Sequence, residues 1–157
     1  MTAGVTVYAI DSSSLIKCRR VYPIDVFPAL WSEMDGLIQA GRLIAQEEVW
    51  IEIHKGTDFL TQWAARWRTE LSVGADGAQV GMVAQIAADY PQANYTTTTE
   101  HRADPWIVAL ARTRACSVVS EEGGTSPVFP KVPQMCARYD VPHVNILAVM
   151  RAESWAF

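Results

Sequence analysis

Short apolar segments that read as strands alternate along this chain with longer amphipathic ones, and nearly every strand-like segment runs into a helix-like one. This alternation is the strongest constraint on the fold. Parallel strands cannot be joined by tight hairpins, so they need crossover connections, and those are usually helices. The first unit is residues 5–10, VTVYAI, rich in β-branched and aromatic side chains, closed by Asp11 and followed by Ser12-Ser13-Ser14 as helix-capping residues. Residues 29–40 carry Leu30, Trp31, Met34, Leu37 and Ile38 at helical spacing, with Gly41 behind them. Residues 42–45 read as a second strand and 47–54 as the helix after it. A helix over residues 58–71 follows, then a loop over 73–78 marked by glycine and aspartate breakers, then a helix over 80–88.

The second half repeats the pattern. The four threonines at 96–99 read as an exposed connection or a short edge strand. Asp104-Pro105 opens an apolar helix running to residue 115, with aspartate expected at the N-cap and proline at the first helical position. Residues 117–120 read as a strand ending at Glu121-Glu122, residues 133–139 as a helix, 144–146 as a strand and 147–151 as a last helical turn or two. The expectation is one α/β domain over residues 1–157: a three-layer α/β/α sandwich around a mainly parallel sheet.

Composition narrows the function classes. Half of the 157 residues are hydrophobic and 10% are aromatic, sufficient for a substantial core. No apolar stretch approaches the roughly 20 residues that cross a bilayer, and the opening MTAGVTVYAID has neither the basic region nor the long apolar segment of a signal peptide. The expectation is a cytoplasmic protein without a membrane partner. Cys18, Cys116 and Cys136 are odd in number and lie outside any CxxC pattern, so buried, reduced thiols are expected. His54, His101 and His143 lack the spacing of a transition-metal site. A net charge of -4 runs against binding nucleic acid through a broad basic face, although Lys17, Arg19 and Arg20 form a local cluster. An enzyme that gathers carboxylates around cations is acidic for a different reason.

Ligands of open α/β sheets sit beyond the carboxyl ends of the strands, so the acids placed there matter most. Two strands end in acids, at Asp11 and at Glu121-Glu122, while Asp104 opens a helix and Glu52 lies within residues 47–54. Right-handed crossovers bring such termini to one side of the sheet. Carboxylates brought together repel unless a cation sits between them, and Mg²⁺ or Mn²⁺ takes oxygen ligands. Each acid also has a plainer role: Asp104 as a simple N-cap, Glu52 as a solvated helix charge, Glu121-Glu122 as a polar turn before Gly123-Gly124. Asp11 is the hardest to reduce in this way, because Ser12 or Ser13 suffices as a cap.

These residues resemble the PIN-domain nucleases, a family that includes the toxin halves of many bacterial toxin–antitoxin pairs. The likeness lies in Ile10-Asp11-Ser12-Ser13 closing the first strand, Val49-Trp50-Ile51-Glu52-Ile53 in the helix after the second, and Ala103-Asp104-Pro105-Trp106-Ile107-Val108-Ala109-Leu110-Ala111 opening an alanine-rich helix. Val118-Val119-Ser120-Glu121-Glu122 completes it. Tyr22-Pro23, Phe27-Pro28, Leu30-Trp31 and Lys131-Val132-Pro133-Gln134-Met135-Cys136 are similar to a branch of PIN-like proteins without an assigned function, over nearly the whole chain. The fourth acid is most often aspartate in that family and is glutamate here.

The resemblance implies a metal-dependent endoribonuclease, the toxin of a type II pair, with an RNA substrate, a cognate antitoxin and a possible homodimer. Asp11, Glu52, Asp104 and Glu122 are then catalytic and bind one or two Mg²⁺ or Mn²⁺ ions. Glu48 competes with Glu52 for the second place and Glu121 with Glu122 for the fourth. Ser12, Ser120, Glu48 and Glu121 are candidate supports of the ligands, and Lys17, Arg19, Arg20 and Lys55 candidate contacts to the RNA backbone. The alternative is a catalytically inactive PIN-like module that binds RNA or protein. Receiver and haloacid-dehalogenase-like phosphatase domains also place Asp after the first strand, but the phosphatases need a second Asp where Ser13 stands.

Overall fold

Strand β1 (Tyr8–Ile10) runs into α1 (Ser12–Val21) and α2 (Pro28–Gln39), and β2 (Leu43–Gln46) into α3 (Glu47–Ile53), α4 (Phe59–Arg66) and α5 (Arg68–Leu71). Strand β3 (Ser72–Val73) is followed by α6 (Gly77–Asp89), a 3-10 turn at Pro91–Ala93 and α7 (Ala103–Arg114). Strand β4 (Ser117–Val119) leads to α8 (Val132–Arg138), and β5 (His143–Val144) to α9 (Ile146–Ala152). The structure, a computed structural model, describes residues 5–53, 58–93, 103–126 and 129–157. His54, Lys55, the threonines at 96–99 and His101 lie outside the described residues.

The strands form one sheet in the order β3-β2-β1-β4-β5, and every pairing is parallel. Tyr8 registers with Leu43 and Ser117, and Ala9 with Ile44 and Val118. The chain steps outward from β1 to β2 and β3, then crosses back to build β4 and β5 on the other side. With right-handed crossovers the two directions put their helices on opposite faces. On one face α2 and α9 pack Met34, Leu37, Ile146 and Val149 around Ile10, Leu43 and Val119. On the other, α7 lies across β1, β2 and β4 with α6 and α8 beside it. The result is a three-layer α/β/α sandwich whose sheet is buried on both sides, as all-parallel sheets are.

Local chemistry sets the boundaries. Helix α2 ends because Gly41 takes a left-handed φ of 71°, which lets the Arg42 amide reach the Leu37 carbonyl at 2.8 Å. The helix expected over residues 58–71 divides at Trp67, whose φ of -98° and ψ of 8° leave the helical region. The loop expected from residue 73 is preceded by β3, a two-residue edge strand that periodicity cannot register. Helix α6 starts at Gly77, earlier than expected, because Asp76 accepts the Gln79 amide at 2.8 Å as its N-cap. Helix α7 starts at Ala103, so Asp104 and Pro105 stand in its first turn rather than at the N-cap and first position. Proline is tolerated there because first-turn amides have no intrahelical acceptor.

Trp31 of α2 anchors the core edge-on to Phe59 and Trp63, and Trp63 donates its indole N–H to Asp35 at 2.8 Å. Cys18, Cys116 and Cys136 are buried and free, as expected. Among the described residues no helix is long and apolar enough to cross a membrane.

Candidate active site

The reversal of strand order falls between β1 and β4, the place where open parallel sheets form their ligand crevice. Asp11 closes β1 there, its amide tied to the Val119 carbonyl at 2.8 Å. It occupies the N-cap position of α1 itself, so the serines are not the cap. The side chain is only 2% exposed and is held by short polar neighbours. The Ser12 amide donates to Oδ1 at 2.8 Å, while Ser13 Oγ at 2.9 Å and Ser120 Oγ at 3.2 Å donate to Oδ2. Burial pushes the Asp11 pKa up to about 6, the Ser13 hydrogen bond restrains it, and the charges of Glu122 and Glu52 add to the rise.

Asp104, 6% exposed in the first turn of α7, faces the same group. Burial raises its pKa to about 9, with Glu122, Asp11 and Glu52 contributing in that order and Lys131 opposing. Glu52 reaches the rim from α3, where Ser12 Oγ donates to its Oε2 at 2.5 Å and lies 3.5 Å from Asp11 Oδ1. One hydroxyl thus bridges two acids from different elements. Glu48 stands one turn earlier on α3, and its amide donates to Gln46 Oε1 at 2.7 Å.

The two glutamates after β4 have separate environments. Glu121 turns to the framework: its Oε1 accepts the Ile146 amide at 2.8 Å and its Oε2 lies 3.2 Å from Lys17 Nζ. Glu122 is the one whose charge acts on Asp11 and Asp104, while its Oε2 accepts the Val132 amide at the start of α8, at 2.9 Å. Ser120, fully buried, links the two strand ends, accepting the Glu122 amide at 3.1 Å as it approaches Asp11. A cavity of about 350 Å³ opens beside these residues, lined by Ser120, Glu121, Glu122, His143 and Asn145.

The expected basic contacts are dispersed. Lys17 is engaged by Glu121, Arg19 pairs with Asp58, and Arg20 is exposed at the end of α1. Two residues escaped the sequence reading. Ser13 is visible in the sequence as part of the triple serine but not as the main donor to Asp11, and Lys131 only as the first residue of the Lys131–Cys136 stretch.

Asp11 and Asp104 thus each feel the charges of Glu52 and Glu122, and Asp104 that of Asp11 as well. Among the described residues no three acidic, histidine or cysteine side chains stand close enough to be a ready-made ligand cluster. The donor chemistry, oxygen only and partly buried, fits a hard divalent cation such as Mg²⁺ or Mn²⁺ rather than a softer metal that prefers nitrogen or sulfur. No curated protein matches the chain. Residues 8–157 match the family model described as "Domain of unknown function (DUF4411)", nearly the full length, and the chain belongs to that family.

Proposed function

We propose that this protein is a metal-dependent endoribonuclease that hydrolyses RNA phosphodiester bonds, with Asp11, Glu52, Asp104 and Glu122 holding one or two Mg²⁺ or Mn²⁺ ions. The observation that carries this reading is the burial of Asp11 and Asp104 within reach of each other's charge at the β1–β4 switch point. Buried carboxylates that raise one another's pKa destabilise a fold, so their presence in a ligand crevice supports reading them as a functional set. A divalent ion held there supplies charge to a phosphate and lowers the pKa of a bound water.

The chain's own side chains prepare the rest. Ser13, Ser120 and the Ser12 amide fix the plane of the Asp11 carboxylate, and Ser12 Oγ orients Glu52. The Val132 amide holds one oxygen of Glu122 and leaves the other directed by that contact. With a pKa near 9, Asp104 keeps its proton at neutral pH until a cation replaces it, so metal binding releases a proton at that carboxyl.

The resemblance to the PIN-domain nucleases points the same way. It also brings to the proposal a cytoplasmic setting, a toxin role in a type II pair with an antitoxin over the rim, and a homodimer. The purified protein is expected to cut RNA in Mg²⁺ or Mn²⁺, to stop in EDTA, and to fall to background as Asp11→Asn with an unchanged circular dichroism spectrum. Undiminished cutting by Asp11→Asn ends the proposal. RNA bound but left uncut by the metal-loaded protein points instead to a binding module.

A further inference from the structure

Four carboxylates at one rim repel the phosphodiester they are proposed to cut; one divalent ion leaves half of that charge uncompensated, and two only cancel it. A cation where the strand enters would favour the incoming phosphate in either case. Two basic residues of α1 are already engaged, Lys17 with Glu121 and Arg19 with Asp58, and Arg20 stands exposed at the end of that helix. Lys131 stands differently. It is half-buried at the N-cap of α8, directly before Val132, whose amide is held by Glu122 Oε2 at 2.9 Å. Its backbone is fixed from the other side as well, because its amide donates to Gln134 Oε1 at 3.2 Å. Among the described residues its ammonium forms no salt bridge.

We propose that Lys131 binds a phosphate oxygen of the RNA strand at this rim, positioning the phosphodiester against the acids; the assignment rests on the nuclease reading above. The helix start fixes the Lys131 backbone next to the Val132–Glu122 contact, and a flexible stem lets its ammonium act as a point charge for a phosphate arriving there. The neighbouring Val132 amide, bound by Glu122 Oε2 at 2.9 Å, sets this helix start against the acids, in keeping with the weak lowering effect of Lys131 on Asp104. Among the described residues this leaves an ammonium without a salt-bridge partner at the start of the helix whose first amide holds Glu122, as an anion-binding lysine must be before its ligand arrives.

The test compares wild type, Lys131→Met and Lys131→Arg on a single-stranded RNA oligonucleotide in Mn²⁺. Steady-state cutting is followed, together with binding of a non-cleavable 2′-O-methyl version over a range of salt. Lys131→Met is expected to raise KM about tenfold or more with kcat little changed, the loss of one hydrogen bond to a charged group. It should also flatten the slope of log affinity against log salt by about 0.7, the share of one phosphate contact on a single strand. Lys131→Arg should recover most of both. A structural role at the α8 cap would lower the thermal midpoint and leave the salt slope unchanged, and that outcome overturns the assignment. Wild-type cutting with KM and slope unaltered in Lys131→Met overturns it too, while leaving the nuclease reading intact. A wild-type protein that neither binds nor cuts the oligonucleotide overturns the nuclease reading, and Lys131's role with it.

Discussion

Asp11 and Asp104 differ in how far burial and neighbouring acids raise their pKa values, and the difference shows what each can do. Asp11 accepts from two serine hydroxyls and an amide, which holds its pKa near 6, whereas burial and three neighbouring acids carry Asp104 to about 9. An unfolded aspartate ionises near 4, so between about pH 4 and 9 the folded metal-free chain must keep Asp104 protonated while the unfolded chain does not. That contribution to stability is whole below pH 4 and is lost as pH rises through the window. Asp104→Asn removes the penalty. Thermal melts in EDTA are therefore expected to show the variant level with wild type near pH 4 and several degrees above it at pH 8, at ~2–4 °C for each kcal/mol in a chain of this size. A variant that is equally destabilised at both pH values would contradict the account. At this scale the sequence disclosed the acids, because a charge at the tip of an apolar strand is conspicuous, but not their hydroxyl donors. Ser13 and Ser120 are 107 residues apart, and only the β1–β4 pairing brings their hydroxyls to 3.2 Å.

At the scale of elements, the helix bearing Glu52 is positioned by a buried amide pair. Gln46, fully buried at the end of β2, accepts the Glu48 amide at the start of α3 and donates to Gln79 of α6 at 3.4 Å. Gln79 in turn donates to the Gly74 carbonyl at 3.0 Å, joining β2, α3, the turn after β3 and α6. Replacing either glutamine by leucine leaves a buried polar partner unsatisfied, at about 1–3 kcal/mol. The double replacement should cost less than the sum of the singles, since each single already breaks the shared bond. Urea unfolding of the four proteins measures this, and strict additivity would show that the pair is not a unit. None of this could be read from periodicity, which registers apolar faces and is silent on two polar residues buried against each other. The long amphipathic helices α2, α6 and α7 were legible for the opposite reason. Strand β3 was not, because two residues carry no period and its pairing with Ala45 and Gln46 is a tertiary event.

Across the whole molecule, two sets of carboxylates pull stability in opposite directions with pH. Far from the crevice, Glu153 at the C-cap of α9 accepts hydrogen bonds from the two terminal guanidinium nitrogens of Arg42, at 2.7 and 2.8 Å, and from the Tyr8 hydroxyl at 2.7 Å, tying the last helix to β1 and the start of β2. The Arg42 hydrogen bonds lower the Glu153 pKa below its ordinary value, so this tie is present above the unfolded carboxylate range and is lost as pH falls through the folded value. Asp104 and Asp11 do the reverse, weakening the metal-free fold as pH rises from about 4 through 6 and on to 9. The metal-free protein should accordingly be most stable in mildly acid solution. A divalent ion at the rim binds only the ionised acids and only the folded chain, so its stabilisation grows with pH. Thermal melts from pH 4 to 9 should show the maximum moving towards neutral or above when Mn²⁺ replaces EDTA. In Asp104→Asn the maximum should already lie higher in EDTA, and Mn²⁺ should move it little. If Mn²⁺ leaves the wild-type maximum where it was, the acids at the switch point do not share a cation, and their burial needs another explanation.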